Sequence, residues 1–188
     1  MGWMIIIGSL PIFILGFLLQ DLIKSTFRTL TLVGLMLIVF GLILGLSDYF
    51  GNNQKGNKDL NVGLTLMLGI AQSFALIPGV SRSGATIAAA RALGFNRNAA
   101  TKISFFLAIP AVLGSGLYQL YQVLNDPKSE IYSLEQTFLA TFVAFAVGYA
   151  VIAWLMKYIS KNSFKPFVIY RLILGGAILV AVATQYLN

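Results

Sequence analysis

No cysteine and no histidine occurs anywhere in the 188 residues, and acids are scarce: six, against thirteen lysines and arginines. The missing cysteines exclude disulfide staples and thiolate chemistry. The missing histidines exclude imidazole general bases, and together the two absences exclude a His or Cys metal site. Any chemistry must come from hydroxyls, carboxylates, amides, arginine and lysine. Charge of either sign is sparse, at 10% of residues against 58% hydrophobic, and the mean hydropathy is +0.84. A water-soluble domain of this size could not stay in solution with that balance, so the chain is an integral membrane protein. No appended soluble domain, internal repeat or low-complexity tract is visible, which leaves one helical membrane domain over residues 1–188.

A helix needs about 20 apolar residues to cross a hydrocarbon core of roughly 30 Å. Five largely apolar runs approach that length: 2–20, 30–47, 103–123, 137–156 and 167–187, the last with one charge, Arg171. The first lacks a cationic leader and a small-residue cleavage pattern and reads as a span, not a signal peptide. Polar breaks fall at DLIKSTFRT, DYFGNNQKGNKD, NDPKSEIYSLEQ and KYISKNSFK. Gly41 and Gly45 form a GxxxG pair, and Gly175 and Gly176 lie in the last run; all four read as helix contacts.

The net charge of +7 does not indicate nucleic acid, because the basic residues are scattered between spans with no basic, aromatic-interleaved face. If 61–95 enters and leaves the membrane on one side, Lys55, Lys58, Arg91, Arg97, Lys102, Lys157, Lys161 and Lys165 share a face. Lys24, Arg28 and Lys128 then lie on the other, and the positive-inside rule makes the larger set cytoplasmic.

Residues 61–95 are the informative block. Pro78-Gly79 breaks the helix and favours a turn. The arm that follows, GATIAAARALG, would be about 16 Å long, half a bilayer. The fold class is therefore all-α, with about five transmembrane helices and one re-entrant helical hairpin whose tip is PGVSRSGAT. Non-helical backbone at such depth requires protein or a water-filled cavity around it.

That tip carries Arg82, a permanent cation preceded by 22 uncharged residues, 60–81. With Ser81 or Ser83 as N-cap, a helix starting near Gly84 would aim the N–H groups of Gly84, Ala85 and Thr86 into the cavity. Helix N-terminus and guanidinium together make an anion site, in which Arg82 grips a phosphate with two parallel hydrogen bonds. Gly84 allows close approach, and Ser81, Ser83 and Thr86 add hydroxyls. The competing reading is an arginine that snorkels or pairs with a carboxylate; against it, Asp21, Asp48, Asp59, Asp126, Glu130 and Glu135 all lie in loops or at span ends.

Other polar positions carry less. Gln72 either lines the cavity or bonds a neighbouring helix. Arg171 is expected to snorkel to the cytoplasmic surface. Ser104 reads as a hydroxyl helix contact, Pro110 as a tolerated kink, and Tyr149 and Trp154 as packing or interface anchors.

GIAQSFALIPGVSRSGATI, then ISFFLAIPAVLGSG, then FKPFVIYRLILG resemble, in order, the undecaprenyl-diphosphatase family of bacterial membrane enzymes, also called bacitracin-resistance proteins. IGSLPIFILGFLLQDLI is similar to the segment after that family's first motif. The resemblance implies a partial inverted-repeat bundle in the bacterial plasma membrane. It also implies hydrolysis of undecaprenyl diphosphate to undecaprenyl phosphate and inorganic phosphate, which recycles the lipid carrier of cell-wall synthesis. It brings a divalent cation, magnesium or calcium, as cofactor, and it matches Ser81, Arg82 and Thr86 to the phosphate-contacting residues of the second motif. Ser83, Gly84, Ala85 and Gln72 are the remaining substrate-binding candidates.

The family's first motif, with paired glutamates, a serine-rich turn and a histidine, has no counterpart here. The chain is therefore expected to be the C-terminal part of such an enzyme, inactive or nearly so alone. Its partners would be the membrane, a polyprenyl diphosphate lipid, and either a homo-oligomeric copy or a separately made N-terminal half. Two other readings remain: a polyprenyl-phosphate transporter or flippase, and a catalytically inactive assembly partner.

Overall fold

The computed structural model describes residues 2–19, 29–125 and 134–184. Seven α-helices occur among them: α1 Gly2–Leu18, α2 Leu30–Phe50, α3 Val62–Ser73, α4 Arg82–Ala92, α5 Arg97–Asn125, α6 Leu134–Ile159 and α7 Lys165–Ala183. Among the described residues there is no strand, only an isolated bridge between Lys55 and Phe95. The expectations for Asp21, Lys24, Arg28, Asp126, Lys128 and Glu130 lie outside the described residues.

Four helices, α2, α5, α6 and α7, are long and apolar enough to cross a membrane, and the chain is a multi-pass membrane protein. The fifth expected span is shorter: α1 has 17 helical residues, about 25 Å. α5 and α6 overrun the expected 103–123 and 137–156, because polar ends such as RNAATK and Lys157 continue a helix as readily as apolar ones. α5 also runs through Pro110 without interruption.

Two compact units divide the chain: residues 1–111 with 163–188, and residues 112–162. In the second, α6 is apolar around its whole circumference and exposes Phe138, Phe142, Phe145 and Tyr149. That pattern suits a lipid-facing helix or one awaiting a partner. Trp154 stacks on Tyr158 with ring centroids 5.5 Å apart, so its expected packing role is met within the helix.

In the first unit α2 packs along α7 through small residues. A Cβ on Gly34 would lie 3.1 Å from the Gly175 carbonyl oxygen, one on Gly41 3.3 Å from the Arg171 Cβ, and one on Gly45 3.3 Å from Val168. Gly41 and Gly45 thus act as helix contacts, as does Gly175; Gly176 meets nothing. α1 crosses α3 at least as closely, with the Gly8 backbone lying where a Gly69 side chain would be. The Ser9 hydroxyl donates to the Ile5 carbonyl at 2.8 Å, and its Oγ lies 3.3 Å from the Leu107 carbonyl oxygen of α5.

The block 61–95 is a helical hairpin. α3 ends in a 3-10 turn at Phe74–Leu76, the chain reverses over residues 77–81, and α4 returns with 11 residues. Neither arm reaches across a bilayer. Both begin and end on the same side of the unit: Lys55 N–H donates to the Gly94 carbonyl at 2.9 Å, and Asn96 N–H to the Lys55 carbonyl at 2.8 Å.

The hairpin's open end is fastened by Asp48, in the last turn of α2. Its carboxylate accepts from Arg91 Nε at 3.0 Å, from Arg97 Nε at 2.7 Å and Nη2 at 3.1 Å, and from the Phe164 N–H at 3.2 Å. Arg91 is fully buried and also donates to the Asp48, Gly51 and Phe95 carbonyls and to the Asn53 side chain. Arg91 is therefore a buried structural cation, not the surface charge the topology count made of it. Asp48, which stands at a span end as expected, is only 6% exposed.

Candidate anion-binding site

α4 begins at Arg82, two residues before the expected start, with Ser81 as the N-cap. The Ser81 Oγ accepts from the Gly84 N–H at 3.3 Å, and its carbonyl already accepts from the Ala85 N–H at 3.0 Å. The open backbone donors are consequently those of Arg82 and Ser83, with Gly84 held weakly by the cap; Ala85 and Thr86 are inside the helix ladder. The expected donor set of Gly84, Ala85 and Thr86 shifts by two residues toward the N-terminus.

Two of the four residues before α4 have positive φ: Gly79 at +93° and Ser81 at +67° with ψ +113°. Glycine accommodates this freely, whereas serine does so at a strain of order 1–3 kcal/mol. The strain turns the Ser81 hydroxyl over the first turn of α4, and Ser81 itself remains exposed.

The Arg82 side chain is half-buried and, among the described residues, makes no hydrogen bond or ion pair. The three-way carboxylate pairing in this unit belongs to Arg91 and Arg97. A guanidinium with all five donors uncommitted, beside open N–H groups at a helix start, can take an anion bidentately. Gly84 is buried against Ser81 and Arg171. Thr86 is completely buried, its hydroxyl donating to the Arg82 carbonyl at 2.9 Å, which places it beneath the first turn and not at its mouth. Ser104 is buried on α5 with its hydroxyl 3.5 Å from the Ser83 carbonyl, the helix contact its position suggested.

Arg171 departs from expectation. It is 7% exposed and does not snorkel. Its Nη2 donates to the Gly79 carbonyl at 2.8 Å and the Val80 carbonyl at 2.9 Å, and its Nε to the Leu37 carbonyl at 3.3 Å. One guanidinium thereby joins α7, the middle of α2 and the turn. Its Nη1 lies 3.4 Å from the position a Gly84 Cβ would occupy, so it reaches the start of α4 as well.

The family model of the bacitracin resistance protein BacA matches residues 1–177. The chain belongs to the bacitracin-resistance protein family. Curated relatives agree with that membership. The undecaprenyl-diphosphatase of Micrococcus luteus is 54% identical over 179 residues, covering 95% of this chain and 65% of that protein. Those of Nocardioides sp. and Clavibacter michiganensis are 50% and 52% identical over 184 residues, covering 98% of this chain and 66% and 67% of theirs. The chain spans about two thirds of the length of these relatives.

In this bacitracin-resistance family member the donors around the tip are guanidinium, N–H and hydroxyl groups, a set suited to an anion. Among the described residues no group of three or more acids that would hold a metal ion is found, and Asp48 is engaged by four donors. The described residues do not fit the divalent cation that the resemblance implies.

One signal in the sequence did point to Arg171. Pro78-Gly79 frees carbonyls from the helix ladder, and buried carbonyls require donors; an arginine six residues into an apolar helix is a candidate donor. Gln72, read either as lining the cavity or as bonding a neighbouring helix, is fully buried, and among the described residues neither its Nε2 nor its Oε1 is hydrogen-bonded.

Proposed function

We propose that this chain supplies the phosphate-clamping part of an undecaprenyl-diphosphatase, which hydrolyses undecaprenyl diphosphate to undecaprenyl phosphate and inorganic phosphate. The observation that carries the reading is the uncommitted Arg82 guanidinium at the N-terminus of α4, whereas the two buried arginines among the described residues, Arg91 and Arg171, are both engaged. In the reaction, water adds to the terminal phosphorus and the bridging P–O bond breaks, with the electron pair leaving on the lipid phosphate. Arg82 holds the terminal phosphoryl oxygens, the Arg82 and Ser83 N–H groups neutralise charge gathering there, and the Ser81 hydroxyl orients the group. Arg171 fixes the turn so that these donors converge. The surrounding apolar helix faces hold the polyprenyl chain.

The depth of the tip fits a lipid headgroup. A Gly79 Cβ would meet the Val33 backbone, and Val33 is 17 residues from Phe50, about 25 Å along α2 from the end where Asp48 binds the arginines. The turn thus lies in the half of α2 remote from the basic loops, which favours a site opening on the opposite face. The general base and any carboxylate-bound cation would come from the part of the relatives that this chain does not span, either in a longer product or in a separate polypeptide; magnesium or calcium would be held there.

Phosphate release from undecaprenyl diphosphate, measured with this chain alone and with it co-expressed with the upstream third of a relative, tests the proposal. Release by the completed protein and little by the chain alone is the expected result. Transbilayer movement of the lipid with no phosphate released by the completed protein would replace hydrolysis with a flippase role. Absence of both from a folded complex would leave only the reading of an inactive assembly partner.

A further inference from the structure

A second binding feature lies at the opposite end of the hairpin from Arg82. A groove of about 530 Å³ runs between the end of α2 and the start of α7. Its walls are Gly45, Tyr49, Val168 and Ile169, and its polar rim is formed by Arg97, Ser163 and Lys165. Asp48 also lines it, but with two arginines and a backbone N–H on its carboxylate that charge is more than neutralised. Two guanidinium groups on one carboxylate leave one positive charge, and Lys165 adds another. Among the described residues Arg97 retains an Nη1 with no partner and its side chain is 32% exposed, while the Lys165 side chain is exposed and makes no hydrogen bond or ion pair. The rim is therefore a site for an anion.

The walls identify the kind of anion. They belong to two helices long and apolar enough to span a membrane, and the exposed apolar surface continues beyond the groove, through Leu46 and Leu42 on α2 and through Ile169 and Ile173 on α7, each pair one turn apart. A ligand that meets both features has a charged head and an acyl tail. Tyr49, a wall residue that is 79% exposed, is the residue type that sits at the level of lipid headgroups. We infer that this groove binds an acidic glycerophospholipid of the surrounding bilayer, with the phosphate on Arg97 and Lys165 and an acyl chain along α2 and α7. The site is separate from the hairpin tip and does not depend on the proposed hydrolysis.

Native mass spectrometry of the purified chain in a neutral detergent, titrated with phosphatidylglycerol and separately with phosphatidylcholine, provides the test. The expected result is retention of phosphatidylglycerol at least about fivefold above phosphatidylcholine. Lys165→Glu should weaken phosphatidylglycerol binding roughly tenfold, since each basic side chain near a membrane surface contributes about a factor of five to attraction of anionic lipid. Lys165→Arg should restore binding, and Lys102→Glu, an exposed charge outside the groove, should leave it unchanged. Ile169→Trp, which fills the apolar wall without altering charge, should lower retention as well. Equal retention of the two lipids, or equal damage from Lys102→Glu and Lys165→Glu, would overturn the inference. Displacement of the lipid by millimolar inorganic phosphate would overturn its assignment to a phospholipid.

Discussion

Arg171 Nη2 donates to the Gly79 carbonyl at 2.8 Å, and this bond spans 92 residues of sequence. It places a cation from the last helix against the turn that precedes α4. The hairpin tip is thus held by a donor outside the hairpin, and the two arginines near the tip differ: Arg171 binds backbone, and Arg82 makes no hydrogen bond or ion pair among the described residues.

Arg171→Met should be destabilising. Replacing a buried guanidinium leaves the Gly79 and Val80 carbonyls unpaired, at about 1–3 kcal/mol for each buried group. Thermal unfolding in detergent should fall by several degrees, and proteolysis should open within residues 77–81.

Arg82→Lys should leave stability unchanged to within about 0.5 kcal/mol, because the side chain has no hydrogen-bond or ion-pair partner among the described residues. In a completed enzyme it should nevertheless lower phosphate release by roughly a hundredfold, since an ammonium cannot reproduce two parallel hydrogen bonds to a phosphoryl group. Near-normal turnover in this variant would remove the clamp from the mechanism.

Asp48→Asn should cost about 3–5 kcal/mol, because it strips the counter-charge from the fully buried Arg91. Unfolding by denaturant measures it. The double variant Asp48→Asn with Arg91→Met should recover part of the loss, as removal of the stranded charge relieves the penalty.

Gln72→Leu should be neutral or raise stability by about 1 kcal/mol, as the wild-type amide is buried with no hydrogen bond to lose. Thermal unfolding reads the stability. A marked loss would show that the amide bonds a group contributed from outside this chain's described residues.

The hairpin was legible in the sequence because its signals are local: a Pro-Gly pair, a long uncharged run and an arm too short to span. The position of the N-cap was readable only to within two residues. Ser81 adopts φ +67°, and serine, unlike glycine, does not advertise such a conformation. The burial of Arg171 and the pairing of Asp48 were not legible, for a different reason. Their partners stand 92, 43 and 49 residues away, and composition places an arginine near a span end at the surface by default. Depth is a tertiary property, and the carbonyls freed at Gly79 and Val80 were the only local hint of it.

The bond from Arg171 to the turn also sets an order of events during synthesis. At roughly 5–20 residues per second, residue 171 is translated about 5–18 s after residue 79. Through that interval the turn carbonyls lack their final donor, so a nascent chain stalled before the last helix would carry an unlocked tip, open to membrane-protein quality-control proteases.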